Sequence, residues 1–180
     1  GALSSSNAGI VHGQLLNLNR FENAGTIDLS ANGLAGDVLV ITGGTTPGTD
    51  GGGLYISNGG SLIVDTHLNE GGVNSLSDVL VVDNVQMGSG ATRIIVNPMI
   101  GSTGGLTIDD GIKIVEVMGT QDAGSFVLDA PVTYGAFEYI LVQGTLPGNE
   151  SHWHLQNYDT TSSNNNWWWD WANRALWNPN

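Results

Sequence analysis

Asp37-Val38-Leu39-Val40-Ile41 and Asp78-Val79-Leu80-Val81-Val82 are near-copies of one pentapeptide, 41 residues apart. Each opens on a carboxylate and continues in branched apolar residues, whose stiff side chains suit a pleated, buried surface better than a helix. Working outward, further short runs stand at Leu15 to Leu18, Leu54 to Ser57, Leu62 to Asp65, Ile94 to Val96, Ile112 to Val117 and Phe126 to Leu128. Phe137 to Val142 and Trp153 to Leu155 complete the series. All are bounded by Gly, Asn, Asp or Ser, so they are predicted to be strands closed by turns. No stretch before residue 165 keeps a helical period over the roughly ten residues that a helix needs. The chain is predicted to be all-β.

The pentapeptide repeat bears on architecture. Solenoid periods begin at roughly 20 residues, so the spacing fits two coils of about that length. Leu54 to Ser57 and Leu62 to Asp65 flank Asn58-Gly59-Gly60, residue types that suit corners where φ is positive. A β-sandwich of short strands satisfies the same pattern, and repetition alone leaves both open.

Composition narrows the function. A chain of 180 residues with 40% hydrophobic content can bury one core and suits a single domain. Four Lys+Arg against 17 Asp+Glu give a formal charge of -13, which excludes a nucleic-acid partner because phosphates need a basic surface. An anionic membrane repels such a chain as well. The acids are dispersed, as on a solvated outer face. Cysteine is absent, so stability must come from repetition and burial. The lack of thiols also suits export of an unfolded chain through a narrow pore, which a premature cross-link blocks. No apolar stretch has the length of a membrane-spanning helix, and the first residues lack a signal pattern. The sequence reads as one whose signal has been removed or, in preference, as a segment of a longer chain.

A solenoid ends in an open sheet edge that must be covered. The final third has the residues for it: Phe126, Tyr134, Phe137, Tyr139 and Trp153. Pro98 and Pro131 mark strand ends or edges, because proline donates nothing to a ladder. Alternation puts Phe137, Tyr139 and Leu141 on one face of their strand, which is expected to lie between the last coil and a capping hairpin.

An ordered series of motifs extends this reading. It runs through Gly36-Asp37-Val38-Leu39, Gly51-Gly52-Gly53, Ser77-Asp78-Val79-Leu80-Val81-Val82, Asp110-Gly111-Ile112-Lys113-Ile114-Val115-Glu116-Val117 and Phe126-Val127-Leu128. Gly135-Ala136-Phe137-Glu138-Tyr139 and His152-Trp153-His154-Leu155 follow. Over residues 36 to 157 the series resembles the C-terminal, autochaperone region of bacterial autotransporter (type V secretion) passengers of the pertactin-like kind. His152 and His154 depart from it, standing where Asn and Tyr are usual. The resemblance implies a right-handed parallel β-helix with a C-terminal β-hairpin cap. It implies β-helix coils over residues 1–74, C-terminal coils and the autochaperone cap over 75–157, and a polar, Trp-rich tail over 158–180. It also implies a cell-surface or secreted location reached across the outer membrane. The implied partner is the chain's own C-terminal outer-membrane β-barrel, with a host cell surface or receptor as a second class.

Several residues were weighed as chemical sites. His152 and His154 share a strand face near Glu150, a zinc or copper geometry that lacks a third ligand. Gly48-Thr49-Asp50-Gly51-Gly52-Gly53-Leu54 is a single copy of a pattern that binds calcium only in tandem, and reads as a glycine turn. Asp109-Asp110 reads as a turn, and Asp37, Asp78 and Asp83 as a structural ladder at equivalent corners. Lyases on a β-helix use Lys or Arg, of which only Arg20, Arg93, Lys113 and Arg174 exist, and no nucleophile elbow occurs. Asn149-Glu150-Ser151 matches a glycosylation sequon that is idle in a bacterial chain. No catalytic, cofactor-binding or metal residue is therefore assigned, no cofactor is expected, and the chain is read as a folding module that is not an enzyme. Two other classes stay open. One is an adhesin or host-receptor module using loops 43–53 or 69–74, the other a carbohydrate-active β-helix enzyme.

Overall fold

The two pentapeptide copies are direct neighbours: Val38 pairs with Val79 and Ile41 with Val82 in parallel register. The 41-residue spacing is therefore one coil, where the sequence suggested two. A coil is longer than expected because it spends three strands, one on each of three sheets. The computed structural model describes residues 2–4 and 9–159. A strand β1 (Ala2–Ser4) precedes a first coil of β2 (His12–Leu15), β3 (Arg20–Asn23) and β4 (Thr26–Asp28). The second coil has β5 (Val38–Ile41), β6 (Leu54–Asn58) and β7 (Ser61–Thr66), the third β8 (Val79–Val82), β9 (Asn84–Gly90) and β10 (Thr92–Pro98). A fourth has β11 (Ile112–Val117) and β12 (Phe126–Leu128), with a lone bridge from Val85 to Gln121 in place of its middle strand. The chain then enters β13 (Val132–Tyr134), β14 (Phe137–Gln143) and β15 (Trp153–Asp159).

The sheets are β1-β4-β7-β10-β12, β2-β5-β8-β11-β15-β14-β13 and β3-β6-β9, here called A, B and C. Parallel register stacks like on like, which turns the sequence pattern into apolar stripes. Leu39 lies beside Leu80 and Leu80 beside Val115 in sheet B, while Ile27, Leu62, Ile94 and Leu128 form the matching row in sheet A. All but Leu128 are buried, and each such side chain contributes about 1.5–3 kcal/mol. This is a parallel β-helix, not a sandwich.

The three corners differ in length. From C to A the chain turns in one or two residues, as at Gly59-Gly60, where Gly59 has φ 77°. From A to B it uses long loops, residues 29–37, 67–78 and 99–111. Nine strands fall where the sequence placed them, with β15 extending past Leu155 to Asp159, while the run expected at Leu15 to Leu18 shares only Leu15 with β2. The strands not foreseen are β1, β3, β4, β9 and β13. Arg20-Phe21-Glu22-Asn23 and Asn84-Val85-Gln86-Met87 turn one apolar residue inward between polar ones, too few for a hydrophobic run. Of the tail expected at 158–180, residues 160–180 lie outside the described residues.

Candidate functional site

The C-terminal end of sheet B changes direction. On one edge β11 pairs in parallel with β8; on the other it pairs antiparallel with β15 through Ile112–Leu155, Lys113–His154 and Val115–Trp153. Seven antiparallel pairs then join β15 to β14, and three join β14 to β13, which follows Pro131. A coil-by-coil parallel stack thus ends in a hairpin that returns on itself. The sequence placed β14 against the last coil; the structure puts β15 there, because the 144–152 loop folds the later strand inward. Phe137, Tyr139 and Leu141 do face the core. Tyr139 donates its hydroxyl to the Asn69 carbonyl at 3.1 Å, and burial pushes that phenol up to about 12.

One carboxylate fastens the hairpin loop. Asp110 accepts from the Thr145 amide at 2.7 Å, the Thr145 hydroxyl at 3.0 Å, the Leu146 amide at 3.2 Å and the Asn149 side-chain amide at 2.9 Å. Burial alone pushes its pKa up, but these donors outweigh it and hold the carboxyl below the usual range. The sequence read Asp109-Asp110 as a turn and missed this role, since its partners lie over thirty residues away.

A line of aromatic rings ties the cap to the coils. Phe21 stacks on Tyr55 with centroids 5.8 Å apart, Tyr55 on Phe126 at 5.8 Å, and Phe126 meets Trp153 edge-on at 5.7 Å. The Tyr55 hydroxyl is bonded to Asn23 and Thr92, which satisfies its one polar atom in the core. Trp153 donates its indole N–H to Gln121 at 2.5 Å. The row therefore spans the first coil to the final strand. The sequence flagged Phe126 and Trp153 but not Phe21 or Tyr55, which lie in ordinary coil strands.

The comparisons agree with this geometry. A family model described as Autochaperone Domain Type 1 matches residues 52–141, half of the chain. The chain belongs to the type 1 autochaperone family. It is a segment of an autotransporter passenger, as the motif series implied. The domain is 30% identical over 152 residues to the probable autotransporter YfaL of Escherichia coli (strain K12), covering 81% of this chain and 10% of that protein. It is 30% identical over 140 residues to YuaQ, an uncharacterized protein of the same strain, covering 77% of this chain and 9% of that one. The chain spans about a tenth of the length of these curated relatives.

The aspartates are distributed over more corners than the sequence suggested. Asp37 and Asp78 do share the A-to-B corner: one Asp78 oxygen accepts from the Gly36 and Asp37 amides and the other from the Asp65 amide at 2.7 Å. Burial first, and then the neighbouring Asp37 and Asp65 charges, push Asp78 up to about 6 despite those donors. Asp83 sits instead at the B-to-C corner, at the other end of β8. It accepts from the Thr42 hydroxyl and the Gly43 and Gly53 amides at 2.8–2.9 Å. These bonds overcome burial and hold it below the usual range. That cradle gathers the Gly51-Gly52-Gly53 turn, so the glycines serve close backbone approach.

The two histidines are separated by role. His152 precedes β15 and accepts the Val117 amide on Nδ1 at 3.2 Å; His154 lies in β15 with ring centroids 6.3 Å apart. His154 is buried, its Nδ1 has no partner among the described residues, and burial pushes it down to about 4. Among the described residues no three His, Cys, Asp or Glu side chains converge as a metal site. A cavity of about 360 Å³ beside His154 is walled by Val73, Ser75, Lys113, Leu146 and Asn149. Lys113 there pairs with Glu116. Asn149 of the sequon is engaged with Asp110.

Proposed function

We propose that this domain caps the C-terminal end of its passenger β-helix and nucleates folding of the helix as the chain crosses the outer membrane. The observation that carries the reading is the unequal ends. At the C-terminal end an antiparallel hairpin closes sheet B; at the other end β1, β2 and β3 leave one parallel edge per sheet. An edge of that kind offers hydrogen bonds to one more parallel coil. Stacked repeats gain stability from nearest neighbours, so a first unit is costly and each later coil adds easily. Residues 75–157 form that first unit on this reading, and 1–74 add to it. The role is structural, not catalytic. The partner is the outer-membrane β-barrel of the same full-length protein, and the location is the cell surface or beyond. Folding free energy released outside then opposes back-sliding of the chain.

Pulsed hydrogen exchange during refolding tests the order. Amides of β11, β14 and β15 are expected to gain protection before those of β2, β3 and β4. Simultaneous protection of both ends, or earlier protection of the first coil, refutes nucleation by the cap.

A further inference from the structure

Three buried carboxyls stand in one row across the A-to-B corner that closes the second coil. Thr66 faces Ser77 in an antiparallel bridge, which sets Asp65, near the end of β7, directly opposite Asp78. The Asp78 amide donates to the Asp65 carbonyl at 2.9 Å, and the Asp65 amide donates to an Asp78 carboxyl oxygen at 2.7 Å. Val38 pairs with Val79, so Asp37 is the next neighbour of Asp78, one strand spacing or about 4.8 Å away. Asp65, Asp78 and Asp37 are 3%, 0% and 1% exposed. Like charges at facing positions repel, and burial removes the water that screens them.

Among the described residues no cation relieves this row. Arg20 is paired with Glu22, Arg93 with Asp129 and Lys113 with Glu116. The groups packed around it are acidic or neutral. Asp28 of β4 adds its charge to that of Asp37 on Asp65, and β10 contributes Asn97. Within the loop, His67 turns its ring toward Gly101 and Glu70 accepts from Asn74. From the next loop, Asp109 approaches Gly72 and Asp110 is bound to the hairpin loop. Donors are unevenly shared. Asp78 accepts three backbone amides, while Asp65 accepts, among the described residues, the Asn97 side-chain amide alone, at 3.3 Å. The other Asp65 oxygen is buried and has no partner among the described residues. A bare carboxylate oxygen in that position is costly, and a proton is the smallest species that neutralises it.

We propose that Asp65 and Asp78 hold one proton between them, and that this proton fastens residues 67–78 as an acid-tightened strap beneath the cap. The strap is where coils and cap meet. Its Leu68 carbonyl accepts the Thr103 and Gly104 amides, its Glu70 carbonyl the Ile108 amide, and its Asn69 carbonyl the Tyr139 hydroxyl. Losing the proton sets two charges against each other across the base of the strap and loosens what it holds. Burial pushes Asp78 up to about 6 and moves Asp65 upward as well, and the neighbouring carboxylates act in the same direction. Both lie above the ordinary 3.8 of the unfolded chain. The fastening is therefore complete below 3.8 and is lost as pH rises through about 6, with the two carboxyls titrating as a pair.

Amide hydrogen exchange on the full chain, expressed as protection factors between about pH 5 and about pH 7.5, tests the proposal. The amides of His67 and Asp78, with those of Thr103 and Gly104 above them, are expected to lose at least tenfold in protection over that range. The rise of Asp78 from 3.8 to about 6 sets a ceiling of about 100-fold. Amides of β11 are expected to change little, since His154 titrates in the opposite sense. Asp65→Asn removes the paired carboxyl and is expected to abolish the fall. Carboxyl-carbon NMR of the parent chain needs no variant, and there one proton is expected to leave the Asp65–Asp78 pair near pH 6. Both carboxyls titrating below about pH 4.5 overturns the proposal, as does strap protection that ignores pH. A loss shared equally by β11, or one that persists in a folded Asp65→Asn chain, overturns it too.

Discussion

Phe126→Ala probes the aromatic row at its central ring. Phe126 is 1% exposed and touches Tyr55 of the second coil on one side and Trp153 of the cap on the other. Truncation removes the buried area and leaves a cavity that a ladder-bonded backbone cannot close, a loss of about 3–5 kcal/mol. Against a total stability of about 5–15 kcal/mol this is about a fifth or more. With a urea slope near 2–3 kcal/mol/M the unfolding midpoint falls by about 1–2 M. Phe126→Leu separates ring contact from burial. It keeps most of the apolar volume but loses two ring pairs worth about 0.5–1.5 kcal/mol each, so it is expected to cost about 1–2 kcal/mol. A double-mutant cycle with Trp153→Leu then yields a coupling of about 0.5–1.5 kcal/mol. Urea unfolding followed by far-UV circular dichroism reads all four variants. Hydrogen exchange adds location: Phe126→Ala lowers protection in both β6 and β15, because the ring bridges them. A loss below about 1 kcal/mol for Phe126→Ala, or equal losses for Ala and Leu, refutes the claim that the rings couple cap to coils.

Buried titrations of opposite sign predict a flat acid profile. His154 has a folded value near 4 against 6.5 unfolded, so stability falls by about 3 kcal/mol as pH drops from 6.5 to 4. Asp78 has a folded value near 6 against 3.8, so its contribution is full below 3.8 and is lost as pH rises to 6, by a similar amount. His154→Phe removes the first effect, and the variant is expected to gain about 2–3 kcal/mol between pH 6.5 and 4 where the parent changes little. Urea midpoints across that range measure it. Asp83→Ala strands the Thr42 hydroxyl and the Gly43 and Gly53 amides. It should cost about 2–3 kcal/mol, seen as a melting temperature lower by roughly 5–10 °C. Gly71→Ala and Gly59→Ala both force a side chain to positive φ, 70° and 77°. At Gly71 the new methyl also meets the Gly111 backbone, and at Gly59 it meets open space. Thermal melting should therefore rank Gly59→Ala at about 1–2 kcal/mol and Gly71→Ala well beyond it.

The parts of this fold that were legible in the sequence are those where several apolar residues turn inward together. Val79-Leu80-Val81-Val82 and Ile112 to Val117 announce themselves because both of their faces are largely buried. In sheet C only β6 was legible; β3 and β9 were not, because each turns a single apolar side chain, Phe21 or Val85, inward beside Tyr55. Coil length was misjudged although β6 and β7 were both read, because nothing local shows that two strands parted by Asn58-Gly59-Gly60 belong to the same turn of the helix. The Asp110 clasp depends on a loop brought back through two strands, which no local spacing encodes. Alternation puts both histidines on one face but supplies no third ligand, and in the fold burial depresses the His154 pKa while His152 accepts a backbone amide.

The direction of growth on the proposed mechanism follows from how the sheets end. Toward the cap, pairing tapers: β10 has seven residues and its neighbour β12 three, while β9 meets the fourth coil through a single bridge. What ladder remains there is satisfied locally, by Val85 bonding to Thr120 and Asp122 and by Asp129 to Ile94. A further parallel coil on that side finds no three-sheet template, and in sheet B it faces β13, a three-residue edge behind a proline. In sheets B and C the first coil has no such taper, since β2 and β3 match β5 and β6 over four pairs each, and in sheet A β4 still pairs with β7 over three. A coil arriving on that side bonds to all three sheets at once. Once residues 1–74 have added to the first unit, this rim directs further coils toward the chain that precedes it in sequence.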